Sequence, residues 1–427
     1  MRKTVHGKSV IICLLITAVC ISLNFLAPLV DNQALREHAA EAVDSVWNAG
    51  SSQQIIGGFE NARLDDYTAV LIVKTACFTG NVPFLDKVFG GLRVEQAVRE
   101  DTDEWGAYCT YVSDDMIQED DIIHSYTRYW HGYMLPLRLA MSFMSYSNVR
   151  MLCYMVEMIL FTVIIILAYQ NRNTRKALPA FLLTFFLMMP AAMGTCLNFI
   201  PCILISLSVS VTVLRYGRVM KNTYWLFCGS GIVTAFMDLL TFPLITLVFP
   251  LTFWLCMLLE KEDNAICIFK TAFVSALCWG IGFAGMWALK WGINWILYGP
   301  EAIQGVFQQI LLRSSTKADG AAMSRLEGML VNLKIILDKP VYRLALGAYL
   351  TGQVFVFVKG QKGPIRLPVF SLLIPVLISV AWIIATTNHV VIHSYYVYRT
   401  LWVSLFPLLS MFALLSNARH RMKPENC

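Results

Sequence analysis

The chain has 427 residues, of which 57% are hydrophobic and 15% are charged, and its formal net charge is +6. Soluble domains are nearer a quarter charged, and a bilayer-spanning helix needs about 20 mostly apolar residues, so the composition excludes an ordinary soluble protein and predicts a polytopic membrane protein. The basic residues lie in short loops between apolar runs, where they report membrane topology and do not predict a nucleic-acid partner.

A basic segment and an apolar run over residues 9–29 open the chain. This run is longer than the core of a typical signal peptide, and no clear small-residue cleavage site follows it. We therefore predict that residues 1–30 form an uncleaved first transmembrane helix. Residues 31–150 hold 18 of the 28 Asp and Glu residues against 9 Lys and Arg. They are predicted to form an extracytoplasmic acidic loop with helices on the membrane surface.

Almost all of the chain after residue 150 is typical of membrane helices, which predicts an all-α protein with about ten spans. The predicted spans are 9–29, 151–169, 177–194, 197–214, 223–240, 243–259, 268–289, 341–358, 367–386 and 398–416. The predicted units after the loop are a transmembrane bundle, an extracytoplasmic amphipathic segment, the C-terminal transmembrane helices and a cytoplasmic tail, over residues 151–289, 290–340, 341–416 and 417–427.

The distribution of basic residues predicts the orientation. With the N-terminus in the cytoplasm, every predicted inner segment carries two or three Lys or Arg residues, and the short outer turns near Gly194 and Asp238 carry none. Basic residues collect on the cytoplasmic side of membranes. We therefore predict a multi-pass protein of the cell membrane with both termini in the cytoplasm.

Within the acidic loop, Asp65 and Asp66 open an apolar run whose pattern predicts a helix on the membrane surface. The helix dipole favours acidic residues at a helix start, so Asp65 could serve only as an N-cap. Alternatively, one of the two carboxylates acts as a general base or holds a divalent cation beside the bilayer. The second alternative would make the pair a catalytic site.

The loop returns to the membrane through an aromatic run that contains Arg128, His131 and Arg138. Trp and Tyr are common at membrane interfaces, so the aromatic residues alone are weak evidence. A guanidinium group binds two phosphate oxygens at once, and these residues therefore predict a site for a lipid phosphate. Nonspecific contact with headgroups, or pairing with the acids of the loop, is the alternative.

A third group, His389, His393 and Arg399, precedes or begins the last predicted span. The two histidines would share a helix face, but they lack the Glu of a metalloprotease motif, so hydrogen-bonded interface histidines are the alternative to ligand binding. Arg399 needs a partner in the membrane, and a lipid phosphate or a loop carboxylate would serve. Glu157, in the second predicted span, is another charge that is costly there.

These pieces together resemble the GT-C superfamily of polytopic membrane glycosyltransferases, which place a long outer loop after one span. Asp65-Asp66-Tyr67-Thr-Ala69 resembles the acidic motif of that loop. Arg128-Tyr-Trp-His-Gly-Tyr-Met-Leu-Pro-Leu-Arg138 resembles the segment that leads into the second span. The likeness by motif covers about the first 170 residues. The acidic pair lies farther from the first span than in the family, and Trp-His-Gly replaces its Pro-Pro.

The resemblance implies transfer of a sugar from a polyprenyl-phosphate donor to a cell-envelope glycan acceptor at the outer face of a bacterial membrane. Asp65 or Asp66 would be the base, with or without a divalent cation. The candidate residues for binding the lipid phosphate or the substrate are Arg128, His131, Arg138, His389, His393 and Arg399. A transporter or flippase of lipid-linked glycan and a noncatalytic GT-C-like protein are the alternatives.

Overall fold

The computed structural model is 77% helical, which confirms the predicted all-α class. It describes residues 2–30, 33–47, 50–78, 80–95, 105, 109, 122–220, 222–318, 320–359 and 366–416. Most of the acidic stretch between Glu95 and Asp121, and the predicted tail 417–427, lie outside the described residues. Two pairs of short antiparallel strands are present. In the first, β1 (Arg93–Glu95) pairs with β2 (Ile122–His124), and in the second, β3 (Lys317–Ala318) pairs with β4 (Ala321–Ala322).

The helices fall into two groups, of which the second forms the bundle. The first comprises the first helix and the helices of residues 31–145, a segment that keeps the name outer loop from its predicted position, and the end of the bundle that contacts it is called the outer end. The first helix and the loop helices are α1 (Arg2–Leu26), α2 (Gln33–Ser45), α3 (Asp66–Cys77), α4 (Phe84–Phe89) and α5 (Met134–Met141). The helices of the bundle's first part are α6 (Tyr146–Tyr169), α7 (Arg172–Leu187), α8 (Pro190–Thr195), α9 (Ile200–Tyr216), α10 (Tyr224–Met237), α11 (Ile245–Leu258) and α12 (Ala265–Tyr298).

The remaining helices are α13 (Pro300–Ser314), α14 (Arg325–Leu337), α15 (Pro340–Lys359), α16 (Leu373–Ala385), α17 (Thr387–Ile392), α18 (Ser394–Trp402) and α19 (Leu405–Ser416). Five helical segments of the described chain are long and apolar enough to cross a membrane, namely Gly7–Leu29, Tyr146–Tyr169, Ala265–Tyr298, Leu367–Ala385 and Ser394–Leu415. Helices α9, α10 and α11 are apolar but shorter. These helices are compatible with a multi-pass membrane protein.

Helix α12 continues past residue 289, where the sequence predicted that the span ends, and reaches Tyr298. The polar residues that suggested an end are buried against the outer loop. Lys290 Nζ donates to the Phe89 carbonyl at 2.7 Å, and Asn294 Nδ2 donates to the Thr127 carbonyl at 2.7 Å. Because the loop supplies these acceptors, α12 continues with Lys290 and Asn294 buried.

Two glycines let helices α10 and α12 approach closely. A Cβ on Gly231 would stand 2.1 Å from the Trp279 carbonyl oxygen, and a Cβ on Gly282 would stand 2.1 Å from the Cys228 carbonyl oxygen. Small residues at such contacts are the usual means of bringing membrane helices together. Helices α10 and α12 are therefore closely packed against each other.

The outer loop has its own core, which positions α3. Ala39 of α2, Val73 of α3, Met141 of α5 and Tyr146 at the start of α6 are all buried in it. Asp65 and Asp66 at the start of α3 are also buried, whereas Tyr67 beside them is exposed, and Asp65 contacts Cys196 and Asn198 in the turn between α8 and α9. The acidic pair is thus held between the loop core and the outer end of the bundle.

Candidate functional site

Asp65 is the N-cap of α3, as the capping interpretation predicted, and it has further partners. Its Oδ1 accepts from the Thr68 backbone N–H at 3.2 Å. Its Oδ2 accepts from Asn198 Nδ2 at 2.8 Å, and the Tyr395 hydroxyl also donates to this carboxylate. Donors from its own helix, from Asn198 and from Tyr395 therefore converge on one acid, and they oppose the cost of burying its charge.

Asp66 faces away from this cluster and is less well satisfied. Its Oδ2 accepts from the Gln53 backbone N–H at 3.3 Å. Burial raises the pKa of Asp66 to about 6, and the Gln53 hydrogen bond and the charge of Arg150 oppose that rise. Burial also raises the pKa of Asp65 above its ordinary value, against its several hydrogen bonds. The two adjacent acids thus differ in their partners and in their surroundings.

The turn between α8 and α9 supplies partners for Asp65 that the sequence did not indicate. Cys196 Sγ donates to Asn198 Oδ1 at 2.8 Å, which orients the amide so that its Nδ2 points at Asp65. The Asp65 backbone N–H lies 3.4 Å from the same sulfur. A single Asn at the start of an apolar run gave no signal, because only the folded chain brings it to an acid 133 positions away.

His131 is engaged on both ring nitrogens. Its Nε2 donates to the Tyr126 carbonyl at 2.7 Å, and its Nδ1 accepts from the Tyr133 hydroxyl at 2.7 Å. Burial lowers the pKa of His131 to about 3, so the ring is neutral. Its backbone lies in the left-handed region (φ 57°), and Gly91 makes room for the ring. In this position His131 organises the turn over residues 126–133.

Arg138 joins the end of the first helix to the outer loop. Its Nη1 donates to the Ala27 carbonyl at 2.9 Å and to the Val30 carbonyl at 3.2 Å, and its Nη2 donates to the Phe78 carbonyl at 3.1 Å. Charged donors form strong hydrogen bonds with backbone carbonyls. The contacts of Arg138 therefore hold the outer ends of α1, α3 and α5 together.

Arg128 borders a cavity of about 250 Å³ together with Arg313, which the sequence analysis did not single out. Apolar and aromatic side chains of α12 and α13, among them Trp287, Trp291 and Ile310, form the rest of its wall. The Arg128 guanidinium lies 5.0 Å from the centre of the Tyr126 ring. The cavity thus combines two cations with an apolar wall, the combination that an amphipathic anion needs.

The histidine pair lies behind Arg313. His389 Nδ1 accepts from Arg313 Nη1, and His389 Nε2 donates to the Leu240 carbonyl at 3.0 Å. Burial, with the charge of Arg313, holds the pKa of His389 well below its ordinary value and lowers the pKa of His393 to about 4. The two rings lie 5.0 Å apart, as the shared helix face predicted. Neutral His389 thereby fixes the position of Arg313.

Arg399 is fully buried one turn along α18. Its Nε donates to the Met188 carbonyl at 3.0 Å, and its Nη2 donates to the Asn61 carbonyl at 3.1 Å. The rings of Phe199 and Tyr398 each lie 4.8 Å from its guanidinium carbon. Because Asn61 begins the segment that leads to Asp65, Arg399 ties that segment to the last helices.

Tyr396 connects these groups. Asp65, Tyr395, Arg313 and Tyr129 all lie near enough to act on it electrostatically. Its ring stacks on His393, with centres 5.3 Å apart. The structure therefore brings Asp65, the histidine pair and the arginine cavity into one outer cluster, whereas His131 is bound within the loop and Arg138 is bound to the end of the first helix and to the loop.

Neither a set of metal ligands nor a known relative identifies this cluster. Among the described residues, no three His, Cys, Asp or Glu side chains stand close enough together to hold a metal ion. Comparison with protein-family models, with curated proteins and with solved structures finds no match to this chain. Its function is therefore argued from the site itself.

Proposed function

We propose that the protein is a membrane glycosyltransferase with a ten-span, GT-C-like fold. In this proposal it lies in the cell membrane with both termini in the cytoplasm. It transfers a sugar from a polyprenyl-phosphate donor to a cell-envelope glycan acceptor at the outer face. The observation that carries the proposal is that Tyr396 lies near both the carboxylate of Asp65 and the guanidinium of Arg313, which borders the cavity.

The acid proposed as general base is Asp65. It lies on the side of α3 that faces Tyr395 and the last helices, whereas Asp66 faces Gln53 and Arg150. A general base must reach the hydroxyl whose proton it takes, and an acceptor on the tyrosine side of α3 meets Asp65 first. Asn198 and the Thr68 N–H hold the carboxylate in a fixed orientation.

The cations proposed to hold the donor phosphate are Arg128 and Arg313. They border one cavity, and Arg313 is oriented by His389 and by the Tyr129 hydroxyl, which lies 3.5 Å from its Nη2. The tryptophans of α12 supply an apolar wall for the first isoprene units of the lipid. Charge develops on the phosphate as it leaves, so fixed cations at that point stabilise the transition state.

The proposed reaction forms one bond and breaks one. Asp65 takes the proton of the acceptor hydroxyl, and the acceptor oxygen attacks the anomeric carbon of the sugar. The bond between that carbon and the phosphate oxygen breaks, and polyprenyl phosphate leaves with the electron pair. Arg128 and Arg313 neutralise its new charge. No redox step occurs, and the proton taken by Asp65 passes to solvent after transfer.

The test uses the full chain in vesicles with a panel of polyprenyl-phosphate hexoses and isolated envelope glycan. Asp65→Asn should lower the transfer rate by about 10²- to 10⁴-fold, the usual contribution of a general base. Glu37→Gln, an exposed acid on α2, is the matched control and should leave transfer unchanged. Full transfer by a folded Asp65→Asn protein would overturn the assignment. Movement of the donor across the vesicle membrane without bond formation would instead identify a transporter.

A further inference from the structure

A long groove runs along the bundle between α1 and α12. Helix α10 is its floor, because α1 and α12 each pack against α10. Its volume is about 830 Å³, and side chains such as Leu14, Cys228 and Ile281 line it. Gly285 also lines the groove, and a Cβ on Gly285 would meet no atom within 4 Å. The space between α1 and α12 is therefore open along the apolar face of α10.

Hydrogen bonds fix α1 at both ends of the groove, to the segment before α10 at one end and, through Trp130, to α12 at the other. Near the start of α1, Asn222 Nδ2 donates to Ser9 Oγ at 3.1 Å. Near the end of α1, Asn24 Nδ2 donates to the Trp130 carbonyl at 2.8 Å, and Trp130 Nε1 donates to the Met286 carbonyl at 2.8 Å. Trp130 thus stands as a spacer between α1 and α12, and the groove is a fixed feature of the fold.

The groove is polar at one end and apolar along its length. Lys270 lines it at the end that also holds Ser9 and Asn222. From Lys270 to Leu289 the helical rise amounts to about 28 Å, close to the thickness of the hydrocarbon core of a bilayer. Lys8, exposed on α1 beside Ser9, adds a second positive charge at the same end. A cation at headgroup depth at the end of a long apolar groove matches the charge and the shape of an anionic lipid.

We propose that this groove binds one anionic glycerophospholipid, with its acyl chains between α1 and α12 and its phosphate at Lys270. Basic sites between membrane helices bind anionic headgroups by charge attraction. Trp130 holds α1 and α12 apart at one end, and the space left between them fits an occupant of this shape. The proposal does not rest on the glycosyltransferase function, because the groove contains none of the residues of the outer cluster.

The first test fills the groove. Gly285→Leu places a side chain in the open space, and Gly280→Leu makes the same change on α12 at a position that does not line the groove. Each protein is purified whole in mild detergent, and its bound lipid is measured by native mass spectrometry. Wild type and Gly280→Leu should carry one phospholipid, and Gly285→Leu should lose it. Equal lipid in all three proteins would overturn the proposal.

The second test removes the cation and does not depend on the leucine variants folding. Lys270→Gln is compared with Lys261→Gln, an exposed lysine before α12 that does not line the groove. Phosphatidylglycerol, added to protein in phosphatidylcholine nanodiscs, should raise the unfolding temperature of wild type and Lys261→Gln, because a ligand bound to the native state stabilises it. The rise should be absent in Lys270→Gln. The same rise in Lys270→Gln would contradict the phosphate site.

The oligomeric state of the purified protein tests the alternative occupant, which is a second copy of the chain. If a second copy of the chain fills the groove, light scattering of the purified protein will give a dimer mass, and Gly285→Leu will convert it to a monomer. That result would overturn the lipid proposal. A monomer with one bound anionic lipid supports it.

Discussion

The outer cluster and the centre of the bundle each bury a carboxyl group, and they surround it differently. Asp65 receives donors from Thr68, Asn198 and Tyr395. Glu157, in the middle of α6, is fully buried, and neither of its oxygens accepts a hydrogen bond from a described residue. The nearest opposite charge acting on it is Arg399. The first acid is held by hydrogen bonds, and the second by attraction at a distance.

This difference follows from the hydrogen-bond donors that each region of the fold offers to a buried carboxyl group. At the outer end, turns and helix starts leave backbone N–H groups and side-chain amides available, and these can hold a charge in one place. Inside a membrane bundle the helical backbone is already paired, so a carboxyl finds donors only on other side chains. Reactive groups are therefore most easily built at the outer end, and Arg399 is the link between the two regions.

The largest expected effect is that of removing this link. Arg399→Leu leaves the Met188 carbonyl with the Tyr398 hydroxyl alone, removes the donor to the Asn61 carbonyl, and removes the cation that acts on Glu157. Breaking such a buried arrangement costs about 3–5 kcal/mol. The free energy of unfolding in mixed micelles should fall by that amount. Arg343→Leu, an exposed arginine on α15, is the control and should change it little. Equal stability of the two variants would mean that the regions are not coupled through Arg399.

A second prediction concerns the pH dependence of stability at Asp66. Its pKa is raised from 3.8 to about 6 by burial, so the folded protein binds the proton more tightly than the unfolded chain. This contribution to stability is complete below about pH 4 and is lost as pH rises through about 6, and it amounts to about 2–3 kcal/mol.

The check is the unfolding temperature of wild type and Asp66→Asn across that pH range. Wild type should lose stability relative to Asp66→Asn as the pH rises from about 4 to about 7. Parallel curves for the two proteins would show that Arg150 compensates the buried charge. Asp66 would then belong with Asp65 as a satisfied carboxylate.

The sequence predicted the features that depend on local pattern. Long runs of apolar residues predicted helices. The acidic pair at the start of one such run predicted the N-terminus of α3, where Asp65 is the cap. The i, i+4 spacing of His389 and His393 predicted adjacent rings. Each of these follows from helix geometry within a few residues, which a single sequence contains.

The partners of the site could not be predicted in this way. Asn198 reaches Asp65 only because the turn before α9 folds over the start of α3. Arg313 gave no signal, since an arginine on an amphipathic helix usually faces solvent, and only His389 and Tyr129 hold it at the cavity. The end of α12 was misplaced for the same reason, because the acceptor for Lys290 comes from the distant outer loop.

The smallest expected effect tests the contrast directly. Glu157→Gln keeps the shape of the side chain and removes its ability to ionise, and no hydrogen bond to a described residue is lost. The free energy of unfolding should fall by less than about 1 kcal/mol, because only attraction at a distance is removed. A loss of more than about 3 kcal/mol would show that Glu157 and Arg399 form a closed ion pair. The centre of the bundle would then hold its acid as firmly as the outer cluster holds Asp65.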